Sequence, residues 1–154
     1  LKFQNSIQAL ILEDIRGEKT VVLWGTPIST NPSHITLFQE PTKSFDQWDT
    51  YGTTYGLSVS RIRLADDSEA LASLPGPLSG YQADLKVFDR LGHELYNFLI
   101  HEDPAACGGN LSAIDLNGDG RDEVLVGEGI CPGRLPTVRI MDLDGHLIYQ
   151  WDAY

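Results

Sequence analysis

One segment concentrates oxygen-bearing side chains at a spacing that chemistry can use: Asp115-Leu-Asn117-Gly-Asp119-Gly-Arg121-Asp-Glu123, running on into Val-Leu-Val-Gly127. Side chains at alternate positions, Asp115, Asn117 and Asp119, converge on one point when the backbone turns sharply, and the intervening glycines permit that turn. The carbonyl of Arg121 and the carboxylate of Glu123 then complete a shell of hard oxygen donors of the kind a calcium ion takes. Magnesium is disfavoured, because it prefers a small, rigid octahedron that keeps several waters. An EF-hand does not fit. Its twelfth position wants Glu where this chain has Val126, and Glu123-Val-Leu-Val126 reads as a strand leaving the loop instead of a helix. Asp122 is expected to point away from the ion. The plainer alternative is a β-turn whose Asp and Asn side chains bond local amides, which needs fewer of these residues. An ion held here would tie a loop between two strands and couple local folding to metal binding; nothing in the sequence adds the open coordination position that catalysis needs.

The elements around this loop repeat. Asp84-Leu-Lys-Val-Phe-Asp-Arg-Leu-Gly-His-Glu-Leu-Tyr-Asn-Phe98 and Thr137-Val-Arg-Ile-Met-Asp-Leu-Asp-Gly-His-Leu-Ile-Tyr-Gln-Trp151 are offset by 53 residues. Each has an alternating strand, an Asp, a turn closed by Gly-His and a second strand ending in an aromatic, which is the pattern of a β-hairpin. A weaker copy runs from His34-Ile-Thr-Leu-Phe38 through a turn around Pro41 to Trp48-Asp-Thr-Tyr51, an ending similar to Trp151-Asp-Ala-Tyr154. Upstream of each hairpin another strand pair is closed by Gly25, Gly76 and Gly127, at intervals of 51 residues. Units of this length with four short strands predict an all-β chain of propeller-type blades, each a four-stranded antiparallel sheet, about three in all. The approximate units are 1–51, 52–101 and 102–154 within a single module, 1–154. Three blades are too few to cover one another's apolar faces in a ring. Such a chain is therefore expected to be part of a longer propeller, a homo-oligomer whose subunits complete one, with two copies giving six blades, or a stack capped in another way.

The places corresponding to the acidic loop are degraded in the other units. Asp14-Ile-Arg-Gly-Glu18-Lys19 lacks the middle ligands, with Lys19 placed to repel a metal, and Asp66-Asp67-Ser68-Glu69 lacks the glycines. One site in three units is the expectation.

The 154 residues are 42% apolar with a formal charge of −11 and no Lys/Arg cluster. A nucleic-acid backbone or an anionic membrane surface would gain nothing from such a chain, since neither finds a positive footprint. No apolar stretch approaches the roughly 20 residues that cross a bilayer as a helix. The first residue is Leu1 with no basic-then-apolar leader, which suggests a processed chain or an excised fragment. Cys107 and Cys131 are open to two readings, a disulfide suited to an oxidising compartment or a pair of reduced, buried thiols.

Asp115 to Gly127, followed by Pro136-Thr-Val-Arg-Ile-Met-Asp-Leu-Asp-Gly145, resembles the FG-GAP or VCBS repeats of integrin alpha-chain propellers and of secreted and surface proteins. Glu123 stands where those repeats usually have Asp, and its longer side chain can still reach an ion. The last unit matches best, the second keeps the hairpin without the loop, and the first keeps only a hydrophobic-Gly frame. The resemblance implies a secreted or cell-surface, noncatalytic module for recognition, adhesion or assembly, stabilised by calcium, with a protein or glycan ligand and neither nucleic-acid binding nor membrane insertion. The alternative it implies is a lectin-like carbohydrate-binding domain, or an accessory domain of a polysaccharide-acting enzyme.

Little else suggests an enzyme. His93 and His146 occupy the same hairpin position, as turn residues do, and His34 and His101 lack partners at zinc-site spacing. Nucleotide-binding glycine loops and nucleophile elbows are missing from the sequence. The loops 100–109 and 128–134 are candidates for a partner-binding rim stapled by the two cysteines. Tyr96/Tyr149 and Trp48/Trp151 recur from unit to unit, which favours packing between units over sugar stacking.

Overall fold

Short apolar runs interrupted every few residues by Gly, Asp, Asn or Pro leave no length for helices, and strands are the regular elements that result. A computed structural model of the chain describes residues 7–14, 16–27, 30–39, 44–77, 82–101, 107–129, 132–133 and 135–153. Pro41, Cys131 and Tyr154, together with 102–106 of the loop 100–109 and 130, 131 and 134 of the loop 128–134, lie outside the described residues. Among the described residues no helix is long and apolar enough to cross a membrane.

The first sheet holds β1 (Ile7–Glu13), β2 (Lys19–Gly25), β3 (His34–Gln39) and β4 (Ser44–Asp49). The second holds β5 (Leu57–Arg63), β6 (Glu69–Pro75), β7 (Asp84–Phe88) and β8 (Glu94–Leu99). The third holds β9 (Gly109–Ile114), β10 (Glu123–Glu128), β11 (Thr137–Met141) and β12 (Leu147–Asp152). Within each sheet the strands pair in chain order and antiparallel, so the molecule is a four-stranded antiparallel module repeated three times in tandem.

Register fixes which residues are equivalent. Val21, Leu71 and Val124 pair with Phe38, Phe88 and Met141 in the three sheets. Both later hairpins carry a register shift at the same place, between Val87 and Phe88 and between Ile140 and Met141, just before the Asp that opens the turn. The evenly spaced glycines, by contrast, are not equivalent: Gly25 pairs with Ile7 at a strand end, whereas Gly127 pairs with both Val138 and Asn110 inside the sheet. The repeat lies in strand pairing and facing, which even counting along the chain misplaces.

Two apolar clusters join the sheets. Leu12, Val22, Trp24, Ile35 and Leu37 of the first sheet pack on Leu57, Leu71 and Phe88 of the second. The other face of the second sheet, including Ile62, Ala72, Leu74, Leu85 and Val87, packs on Val124, Val126 and Met141 of the third. Each fully buried Leu or Val here contributes about 1.5–3 kcal/mol relative to exposure. Two faces buried on one sheet explain why β6 reads as nearly continuous apolar sequence, while β12, an edge strand, is exposed throughout.

Polar groups reinforce the first junction. The Tyr51 hydroxyl donates to the Ser73 carbonyl at 2.8 Å, and Lys86 Nζ donates to the Thr50 carbonyl at 3.1 Å while lying 5.2 Å from the Tyr51 ring centroid. Burial raises the Tyr51 phenol far above its usual value, the Ser73 bond only partly opposing it, so it stays a donor.

Candidate metal centre

β9 ends at Ile114 and β10 begins at Glu123, which face each other in register, so the acidic segment forms the connection of a hairpin. Its shape depends on two left-handed glycines, Gly118 at φ 77° and Gly120 at φ 89°, both with open space where a side chain would project. Asp115 braces the turn: Oδ1 accepts the Gly118 amide at 2.7 Å and Oδ2 the Gly120 amide at 3.0 Å. Asn117 Oδ1 accepts the Asp119 amide and Asp119 Oδ1 the Arg121 amide, each at 2.8 Å.

These local bonds bring side chains together. Asn117 Nδ2 donates to Asp119 Oδ2 at 2.9 Å and to Glu123 Oε1 at 3.0 Å, bridging two carboxylates that would otherwise repel. Glu123 is buried, and its Oε2 accepts the Leu116 amide at 2.8 Å. The Asp119 carboxyl is held below its usual value, chiefly by the Arg121 amide and then by Asn117. Asn117, Asp119 and Glu123 thus form one hydrogen-bonded group of side chains, and Asp115 braces the same loop through the Gly118 and Gly120 amides. Arg121 enters it through its backbone, because its guanidinium turns away to Asp144, at 3.1 and 3.4 Å, and lies 5.8 Å from the centre of the Tyr96 ring.

Among the described residues no three His, Cys, Asp or Glu side chains form a group that could hold an ion by themselves. A shell here would also need the Asn117 oxygen and the Arg121 carbonyl. That donor set, all oxygen with three carboxylates, fits calcium in kind. Asn117 Nδ2 now supplies the positive end of a dipole between two carboxylates, a role that a cation would fill more strongly.

Two residues here escape sequence reasoning. Arg63, at the end of β5 in the preceding sheet, puts Nη2 3.2 Å from Asp115 Oδ2 and 3.9 Å from Asp122 Oδ1. Its backbone makes a reciprocal pair with Asp122, accepting that residue's amide at 3.0 Å and donating to its Oδ2 at 2.8 Å. Asp122 is thereby turned to the neighbouring sheet. At the first junction Arg90 Nη2 reaches Asp14 Oδ2 at 3.0 Å and Glu18 Oε2 at 3.1 Å, so a guanidinium from the second sheet neutralises the turn between β1 and β2. Lys19, read from the sequence as a charge that would repel a metal there, pairs with Glu13 at 3.8 Å. Neither arginine belongs to a local motif; both act across distant parts of the chain, and only the stacking of sheets reveals them.

The histidines of the paired hairpins serve their turns. His93 Nδ1 lies 2.8 Å from Asp89 Oδ2 and His146 Nδ1 3.0 Å from Asp142 Oδ2, and each histidine's amide also donates to the same Asp. Cys107 is buried and is not a free thiol. No model of a known protein family matches the chain, and no curated protein is significantly similar to it.

Proposed function

We propose that the chain is a propeller-type module of the FG-GAP or VCBS kind, secreted or displayed at a cell surface, in which one calcium ion clamps the third sheet to the second and the fold serves recognition or assembly. The observation that carries this reading is the joining of Asn117, Asp119 and Glu123 by side-chain hydrogen bonds in a loop that Asp115 braces through two amides, with Asp122 of the same loop bonded through its backbone to Arg63. Calcium held by Asp115, Asn117, Asp119, Glu123 and the Arg121 carbonyl would fix the loop at the place where two sheets meet. Its role is structural: it replaces repulsion among carboxylates by shared attraction, and its binding free energy adds to folding. The buried Cys107, which is not a free thiol, supports an oxidising compartment. The ligand of such a module is a protein or a glycan, and the chain contributes shape and loops instead of reaction chemistry.

The experiment is a thermal melt with calcium and with chelator, paired with calorimetric titration of the chain and of Asp119→Ala. A structural ion raises Tm, and at a free concentration about 100 times Kd it adds about 2.7 kcal/mol of stability, which the variant loses. Equal melting points in calcium and chelator, with no titration heat, remove the calcium clamp from this reading.

A further inference from the structure

Among the described residues, the middle sheet is covered on both faces and each outer sheet on one. The face of each sheet that carries Val21, Leu71 or Val124 is its leading face, since in the second and third sheets it packs on the sheet before. There Leu71, Phe88, Val124 and Met141 are buried. On the first sheet their equivalents Val21 and Phe38 are only half-buried, and Ile7, which stands where the second sheet has the fully buried Leu57, is 50% exposed.

The trailing face shows the converse. Leu12 and Ile62 are completely buried against the following sheet, whereas Ile114, in the same register place, is 48% exposed. Trp48 and Phe98 pair with Ile35 and Leu85, and each lies against the turn glycine of the next sheet, Gly92 or Gly145. Their counterpart Trp151, paired with Val138, is 46% exposed.

We propose that the trailing face of the third sheet binds the leading face of the first sheet in a second copy of this chain, head to tail, so that two chains close on each other through two identical junctions. Each copy carries both halves of a contact that it already makes twice within itself. Trp151 of one copy meets Phe38 of the other as Trp48 meets Phe88 across the first internal junction. Pairing of two trailing faces would set Trp151 against itself, without the leading strand that both internal junctions use. Contact between unlike faces closes only when the rotation returns on itself, and six sheets are an ordinary ring size. Each copy carries a formal charge of −11, so pairing works against self-repulsion and strengthens as salt screens it. Ile7, Phe38 and Trp151 lie outside the 115–123 loop, which makes loss of pairing and loss of metal binding separable.

The test is mass in solution by light scattering over a concentration series, on the chain, on Trp151→Glu, on Ile7→Glu and on an equimolar mixture of the two variants. The expected result is twice the 17.0 kDa chain mass for the unaltered protein and 17.0 kDa for each variant with an unchanged circular dichroism spectrum. The mixture regains the doubled mass, because one intact trailing face still meets one intact leading face. Should Trp151→Glu not fold, Tyr149→Glu, at a position 68% exposed on the same strand, takes its place. A chain of single mass at every concentration overturns the proposal, as does an open ladder of larger species. A pair broken by Trp151→Glu and untouched by Ile7→Glu would mean that trailing faces meet each other, and overturns it too.

Discussion

Trp48 and Phe88 meet edge to face across the first junction, with ring centroids 5.3 Å apart and planes inclined at 62°. The same indole covers the turn at Gly92, where an added Cβ would come within 3.0 Å of its ring. One aromatic at the end of β4 therefore holds both a strand and a turn of the next sheet.

Truncating Phe88, which is 4% exposed, is expected to cost about 3–5 kcal/mol, the range for emptying a large aromatic site. A double-mutant cycle with Trp48→Ala should show a coupling of about 0.5–1.5 kcal/mol, read from denaturant unfolding. Strict additivity would show that the rings do not stabilise each other.

Glycine substitutions separate contact from conformation. A Cβ on Gly108 would meet the carbonyl oxygens of Gly76 and Pro75 at 2.2 Å each, and backbone at a sheet junction cannot move aside. Gly108→Ala is expected to cost about 3 kcal/mol or more. Gly118→Ala meets open space and carries only the strain of its positive φ, about 1–2 kcal/mol. Chemical denaturation of both variants decides; equal losses would contradict the tight junction at Gly108.

Acid should loosen the turns. The Asp14 carboxyl is lowered from 3.8 chiefly by the Glu18 amide, and the Asp66 carboxyl chiefly by the Ser68 hydroxyl. At Asp89 burial is the largest influence and pushes upward, yet the His93 amide and ring and the Leu91 amide outweigh it and the net shift is down. A carboxyl with a depressed folded pKa adds stability that is complete above its unfolded value, here near 3.8, and lost as pH falls through the lower folded value. Asp84 works in the opposite sense. Burial raises its pKa, so its contribution is present below 3.8 and is lost as pH rises through the folded value. Melts across pH should show Tm falling below pH 3.8 for the unaltered chain, and Asp84→Asn should equal or exceed it at neutral pH. A Tm that climbs on acidification below that point would refute the assignment of the turn carboxylates.

Under the proposed calcium clamp, Arg63 competes with the ion for Asp115. Its guanidinium lies 3.2 Å from Oδ2, so Arg63→Gln should tighten calcium binding roughly two- to tenfold, the effect of removing one partly exposed charge near the ion. The backbone pair with Asp122 does not depend on the side chain and keeps the loop in place. Titration calorimetry on the variant is the check, and weaker binding would mean that Arg63 helps the site by orienting Asp115.

The strands, their antiparallel hairpins and the Asp-to-Glu loop were legible from residue types and spacing, because alternation, turn glycines and side chains two residues apart are local properties of the chain. Trp48 and Trp151 could be recognised as equivalents in the same way. That Trp48 lies against Phe88 and Gly92 while Trp151 stands exposed could not, since the difference is what stands opposite each ring in space. The cations on the acidic turns were equally hidden: Arg63 and Arg90 reach them only after the sheets stack, and no spacing rule anticipates a contact made across a whole repeat. Sequence by itself determined the repeating sheet and the acidic loop, through interactions between near neighbours. The tertiary structure alone decided which faces are buried, which glycines face another backbone and which charges meet, because burial and ion pairing depend on what stands opposite in space.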